Sequence, residues 1–289
     1  MSTSVQVGLL LAAATALTSI VSFLYKHRGA VLAPDVDFRR PARSTLLLFR
    51  APAYTLGVLI ALASWGLHAA ALSLAPISLV QSVIAGGLVL LTVVADRFFG
   101  LAVTRREWIG VGLAAVGLAF LAATISGSGD GPHAGHDGLG IAAYVACAAG
   151  AGLLVSAWAR GRRHAGVLFG VGAGLMWAAS DVAIKGTSAG LSADGAGVVL
   201  QPLVAVIVVA SLVGLLISAK SLQIGPAVSV IAVTSVAANA TTIAAGPIVF
   251  GDPIPSNALG AAARLAAFAL VIGAAAFTPA PVRAAEIET

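Results

Sequence analysis

Long apolar runs constrain this chain more than any other feature, because nine of them fill most of its length. A helix that crosses a bilayer needs about 20 mostly apolar residues. The runs that meet this length cover residues 5–25, 51–75, 77–95, 105–124, 138–159, 165–187, 197–219, 225–247 and 256–278. Turn-forming pairs such as Ala75-Pro76 separate them. We therefore predict an all-α integral membrane protein with nine transmembrane helices, numbered here as spans 1–9 in chain order.

The charge content supports a membrane location. Only 9% of the residues are charged, against about 25% in a typical soluble domain. Lipid around most of the surface removes the need for a charged exterior. The net charge of +5 comes from basic residues in short loops, without the compact basic face that nucleic-acid binding requires. The single cysteine, Cys147, excludes an internal disulfide.

The basic residues also orient the chain. With the N-terminus on one side, 14 of the 16 Lys and Arg residues fall on the opposite side, at or between the ends of the spans. Loops rich in Lys and Arg face the cytoplasm. We expect a multi-pass protein of the plasma (inner) membrane, with the N-terminus outside and the C-terminus in the cytoplasm. Span 1 is too long for a cleavable signal, whose apolar region has about 7–15 residues, so it is expected to remain.

Weak self-similarity divides the chain into two units. The segment 23–26 (FLYK) ends span 1 as the segment 182–185 (VAIK) ends span 6. Gly110 of span 4 matches Gly260 of span 9. Spans 1–4 therefore resemble spans 6–9, and span 5 connects them, so the second four-helix repeat is inverted. The predicted divisions are listed in chain order: a first repeat over 1–125, an outer loop, connector helix and basic inner loop over 126–164, and a second repeat over 165–289. Inverted repeats are typical of secondary transporters.

The second half also resembles a known superfamily. Phe250-Gly251-Asp252-Pro253, followed by Gly260 in an Ala/Leu-rich last span, is similar to the end of an EamA repeat of the drug/metabolite transporter superfamily. That repeat usually has Gly-Glu-Pro at this place, whereas this chain has Asp252 in the position of the Glu. The same place in the first half, 99–102 (FGLA), lacks the acidic residue. EamA proteins usually have ten helices; nine helices with an external N-terminus, and the Ala-Pro before 78–83 (SLVQSV), are closer to the NIPA-type magnesium transporters of that superfamily.

Polar residues inside the spans are candidates for a substrate path, because charge in a bilayer is costly. From the helical rise, most lie about 6–12 Å from the outer ends of their spans. The candidates are Asp181, Lys185, His68, Gln81, Gln201, Asn239 and Arg264. We expect them to form an outward-facing polar vestibule above a more apolar inner closure, although the sequence does not show whether they converge.

Each candidate has two interpretations. Asp181 and Lys185 share a helix face, so Asp181 either binds a cation or proton or forms a structural ion pair. Arg264 binds an anion or pairs with Asp181. His68 is either a hydrogen-bonded packing residue or a proton-coupling group. The side chains of Gln81, Gln201 and Asn239 line the path or bond neighbouring helices.

Two further patterns carry alternatives. The outer loop 130–137 contains two His and two Asp residues, which suit a divalent metal, but its Gly and Pro content favours a flexible segment. Gly166, Gly170 and Gly174 permit close helix packing, either static or as a sliding surface. No Walker sequence and no catalytic Ser/His/Asp pattern occurs, so we do not expect an enzyme.

These observations predict a secondary-active transporter of a small metabolite or organic solute that works by alternating access. The resemblance implies an alternative, a NIPA-like transporter of Mg²⁺ or another divalent cation, with Asp181 as its metal ligand. A second alternative is a non-transporting membrane subunit that organises an envelope complex. No resident cofactor is expected; H⁺, Na⁺ or Mg²⁺ would be coupled or transported ions. The expected partners are the substrate and the lipid bilayer, and a homodimer is left open.

Overall fold

The computed structural model describes residues 3–75, 80, 83–84, 87–101, 103–123, 138–194, 202–250 and 258–275. Within these residues the chain is helical and contains no strand, as predicted. The helices are α1 (Thr3–Leu32), α2 (Pro41–Phe49), α3 (Pro52–Leu74), α4 (Leu88–Phe99), α5 (Arg105–Ala123), α6 (Gly138–Ala159), α7 (Ala165–Asp194), α8 (Pro202–Ile224), α9 (Ala227–Val249) and α10 (Ala258–Ala275).

Six of the described helices are long and apolar enough to cross a membrane. They are α1, α3, α6, α7, α8 and α9, which correspond to spans 1, 2, 5, 6, 7 and 8. The chain is therefore a multi-pass membrane protein. Spans 4 and 9 contain α5 and α10, and α4 begins inside span 3 and continues past its predicted end to Phe99. Nine crossings and an inverted repeat stay predictions.

Several helices extend beyond their predicted ends, and α1 and α7 do so furthest. Helix α1 continues to Leu32 rather than residue 25, and α7 continues to Asp194 rather than residue 187. The prediction ended each span where polar residues interrupt the apolar run. Backbone hydrogen bonding does not depend on side-chain polarity, so a helix can continue past that point. The first loop also contains the unpredicted helix α2, which has a proline at its first position, where proline is favoured.

Helices α7 and α9 form the centre of the bundle. Their candidate membrane segments are each 61% buried inside the protein, against 17% for α3, 22% for α6 and 28% for α8. The outer helices expose large apolar side chains, including Leu62, Leu154 and Leu212. Such exposure suits a surface that faces lipid, because lipid tails do not penalise exposed leucine.

Glycines set the closest helix contacts. A Cβ atom at Gly166 would lie 2.5 Å from Cα of Gly225, and one at Gly174 would collide with the carbonyl oxygen of Thr234. The predicted close packing along this glycine row is therefore confirmed, with α9 and the turn before it as the contact. Gly57 serves α1 and α3 in the same way, because a Cβ there would lie 2.7 Å from the backbone nitrogen of Lys26.

A buried carboxylate fixes the start of α5. The backbone nitrogen and the hydroxyl of Thr104 donate to Glu107 Oε2 at 2.9 and 3.0 Å, and the Glu107 nitrogen donates back to Thr104 Oγ1 at 3.2 Å. This reciprocal pattern is a capping box. Ser229 Oγ of α9 donates to Glu107 Oε1 at 3.2 Å. Glu107 therefore both caps its own helix and connects it to the central helix α9.

Candidate functional site: a polar cavity between four helices

A cavity of about 160 Å³ lies between α1, α3, α7 and α9. This volume equals about five water molecules at roughly 30 Å³ each, and it lies below the range of about 300–1,000 Å³ that holds drug-sized ligands. Its described wall consists of Thr15, Ser19, Ser22, Phe23, Lys26, Ala61, Ser64, Trp65, His68, Ile84, Trp177, Asp181, Thr234, Ser235, Ala238 and Asn239. The space suits a small polar molecule.

Helix α1 presents a polar stripe to this cavity. Thr15, Ser19, Ser22 and Lys26 all line the wall. Their spacings of four, three and four residues place them on one helix face. At 1.5 Å per residue the stripe is about 16 Å long. Helix α1 therefore lines the cavity over roughly half the thickness of the hydrocarbon core.

Lys26 is the charged group at one end of this stripe. Its side chain is 1% exposed, and Nζ lies 3.9 Å from the ring centroid of Phe23 and 4.9 Å from that of Trp177. A desolvated cation–π contact contributes about 2 kcal/mol. A lysine inside a membrane-spanning bundle is costly, up to about 2.5–3.5 kcal/mol on insertion scales for one at a helix centre. The rings thus offset part of the cost and leave a role for an anionic partner.

Lys26 was missed as a site residue. The orientation argument counts it among the basic residues beyond span 1, whereas it is buried inside α1 and lines the cavity. Without Lys26, 13 of the 16 Lys and Arg residues still fall on the predicted cytoplasmic side. The sequence does contain a signal for Lys26: it continues the regular spacing of Thr15, Ser19 and Ser22 along one face of the helix.

Three predicted candidates, His68, Asp181 and Asn239, come together in the cavity wall. They come from α3, α7 and α9. Lys185 lies one turn beyond Asp181 on α7 and is not part of the described wall. Gln81 and Gln201 lie outside the described residues, as does the side chain of Arg264, whose backbone belongs to α10. The outer loop 130–137 also lies outside them.

Asp181 places a carboxyl group in the same wall as Lys26. Across the described parts of the chain, no salt bridge holds Asp181; the one found there joins Lys220 Nζ to Asp35 Oδ2 at 3.3 Å. Nor do three or more His, Cys, Asp or Glu residues gather as a metal site among the described residues. The described wall therefore offers one lysine and one aspartate as groups of opposite charge, beside His68.

Most hydroxyl groups of the cavity wall already have partners. Ser19 Oγ and Ser64 Oγ share a hydrogen bond of 2.7 Å, Ser64 Oγ also donates to the Thr15 carbonyl at 3.1 Å, and Ser22 Oγ donates to the Gly57 carbonyl at 2.9 Å. These bonds connect α1 to α3 and leave the hydroxyls less available to a ligand.

Unpartnered polar atoms are of two kinds. In the described cavity wall, His68 Nε2, Trp177 Nε1 and Thr234 Oγ1 are buried without a hydrogen-bond partner. Cβ atoms built at Gly214 and Gly170 would lie 2.8 Å from Trp177 Nε1 and 3.1 Å from Thr234 Oγ1, so both atoms face packed backbone. His68 Nε2 belongs to a residue of the cavity wall and is the orphan best suited to a ligand.

One end of α1 is closed against α8 by a group of polar contacts, called here the clasp. His27 Nδ1 lies 3.0 Å from the Leu222 carbonyl. Gln223 Nε2 donates to the carbonyls of Ala30 at 3.1 Å and Pro34 at 3.0 Å, and Gln223 Oε1 accepts from the Val36 nitrogen at 3.0 Å. The Lys220–Asp35 salt bridge belongs to the same group. The clasp is therefore a polar network that joins the C-terminal end of α1 and the following loop to α8.

Comparisons with protein-family models, with curated proteins and with solved structures gave no match to this chain. The resemblance to the drug/metabolite transporter superfamily therefore stays a prediction from short motifs. What the structure provides is a multi-pass helical membrane protein with a small charged cavity between α1, α3, α7 and α9.

Proposed function

We propose that this protein is a secondary-active transporter of a small polar organic solute in the plasma membrane, with the cavity as its solute site. The observation that carries the proposal is the position of the cavity inside the bundle, between the first-half helices α1 and α3 and the second-half helices α7 and α9. Secondary transporters bind substrate at the interface between two halves near the membrane midplane. Nine spans in two inverted repeats, with a cytoplasmic C-terminus, belong to the same proposal.

The clasp supports alternating access. It begins at His27, the residue after Lys26, and continues past the end of α1 at Leu32 into the following loop. In the proposed orientation this is the cytoplasmic end. The clasp joins the first half, through α1 and its following loop, to the second half through α8. Its contacts are hydrogen bonds and one partly exposed salt bridge, which water can replace when the halves separate. These contacts favour a state in which the cytoplasmic side is closed.

The same wall argues for an organic solute over Mg²⁺. Hard cations prefer six or more oxygen ligands, with carboxylates to balance their charge. Asp181 and Asn239 supply oxygen, but Lys26 places a positive charge in the same small space. The magnesium alternative is therefore supported less well, and the non-transporting subunit gives no reason for a buried lysine in a cavity.

The test is uptake by the purified full chain in liposomes. A panel of labelled small polar metabolites is applied under an imposed H⁺ or Na⁺ gradient, and a Mg²⁺-sensitive dye inside the vesicles reports cation entry. We expect at least one organic solute to enter faster than into protein-free liposomes, and Asp181→Asn to slow that entry. Dye response without solute uptake would favour the magnesium alternative. Neither signal from well-folded protein would favour the non-transporting subunit.

A further inference from the structure

The cavity wall contains two opposite charges, one from each half of the bundle. Lys26 belongs to α1 and Asp181 to α7, and both line the same 160 Å³ space. Within the described residues no salt bridge joins them to each other or to a third group. In a low-dielectric interior, each charge favours a partner of opposite sign.

The surroundings of Lys26 make it a recognition group rather than a structural one. Its ammonium lies against the faces of Phe23 and Trp177, which also line the cavity. Ring faces stabilise the cation without forming a salt bridge with it. The ammonium can therefore still bind a carboxylate, with the rings as the apolar wall beside it.

We propose that the cavity binds a small zwitterion, with its carboxylate on Lys26 and its ammonium on Asp181. This inference rests on the proposed function in taking the cavity for a solute site. A ligand with a single charge would leave one wall charge unpaired, whereas a zwitterion pairs both and adds no net charge to the membrane interior. His68 Nε2, which is unpartnered in the described structure, is available for a further hydrogen bond to the ligand. The volume admits only a short spacer between the two ligand charges.

Binding is tested by titration calorimetry on the detergent-purified full chain. The zwitterions are glycine, β-alanine and 4-aminobutyrate, which differ in charge separation. Butyrate and butylammonium are the single-charge analogues of 4-aminobutyrate. We expect the best of the three zwitterions to bind at least about tenfold more tightly than either analogue, since a charge-assisted hydrogen bond is lost with each missing group.

Variants separate recognition from a general effect on folding. Lys26→Met should reduce zwitterion affinity at least about tenfold while leaving butylammonium binding intact. Asp181→Asn should reduce zwitterion affinity similarly while leaving butyrate binding intact. Arg43→Met and Asp96→Asn alter exposed charges outside the cavity. These control variants should leave the affinity for every probe unchanged. If Lys26→Met does not purify as a single species, Lys26→Gln replaces it. The comparison of zwitterions with single-charge analogues on the parent chain tests the inference even if neither variant can be purified.

Two results would overturn the inference: no zwitterion binding more tightly than butyrate and butylammonium, or both variants weakening the binding of all probes alike. These failures are distinct from failure of the proposed function. Zwitterion binding without uptake in liposomes would leave this inference intact and refute transport. Uptake of other solutes without zwitterion binding would support transport and refute this inference.

Discussion

At the scale of single residues, the polar cavity depends on small side chains next to charged ones. Gly57 allows α3 to approach α1 directly at Lys26, where a Cβ would lie 2.7 Å from the Lys26 nitrogen and 2.8 Å from its Cγ. Lys26 is thereby held inside the bundle although its side chain is long and charged. Because the contact is with backbone as well as side chain, a rotamer change alone does not relieve it.

Gly57→Ala is therefore expected to destabilise the protein by about 1–3 kcal/mol, the usual cost of overpacking. The measurement is the thermal unfolding midpoint in detergent. Gly66→Ala is the matched control on the same helix, because a Cβ at Gly66 meets nothing within 4 Å, and alanine favours a helix over glycine. Equal midpoints for the two variants would contradict the close approach of α1 and α3.

At the scale of elements, the sequence predicted the presence of the helices better than the residues at which they end. Apolar runs of membrane-spanning length predict α1, α3, α6, α7, α8 and α9 well, because insertion depends on summed hydropathy. The sequence did not predict the extension of α1 through Lys26 and Arg28 to Leu32. This extension depends on burial against α3 and α8, which a single-chain hydropathy pattern does not contain. Lys26 was assigned to the predicted cytoplasmic end of span 1 for the same reason.

The clasp gives a prediction about the opening of the cavity. Gln223→Ala removes three hydrogen bonds, one between α8 and the end of α1 and two between α8 and the loop after α1. We expect the cytoplasmic end to open more often. The readout is the reaction rate of Ser235→Cys, a cavity-wall position, with a membrane-impermeant thiol reagent in inside-out vesicles. The background carries Cys147→Ala, because Cys147 is exposed.

The rate should rise several-fold with Gln223→Ala. Gln6→Ala, an exposed glutamine near the opposite end of α1, is the matched control and should leave the rate unchanged. An unchanged rate in Gln223→Ala, with the protein still folded, would mean that the clasp does not close the path.

At the scale of the whole molecule, the sequence predicted what belongs in the membrane but not which residues meet there. His68, Asp181 and Asn239 were selected because polar residues are costly in a bilayer, and they do share one cavity. Lys185 was selected on the same ground and lies outside the described wall. Depth along a helix is readable from sequence, since it follows from residue count. The lateral direction in which a side chain points depends on how the helices pack.

The central claim is that the cavity between α1, α3, α7 and α9 is a path with alternating access. It is tested most directly by labelling Ser235→Cys, in the Cys147→Ala background, with a membrane-impermeant thiol reagent applied to right-side-out and inside-out vesicles. Thr3→Cys and Arg163→Cys, both at exposed positions, report the outer and cytoplasmic sides in the proposed orientation. The account predicts that Ser235→Cys reacts from both sides, whereas each control reacts from one side only. Reaction of Ser235→Cys from one side alone, or from neither, would contradict it.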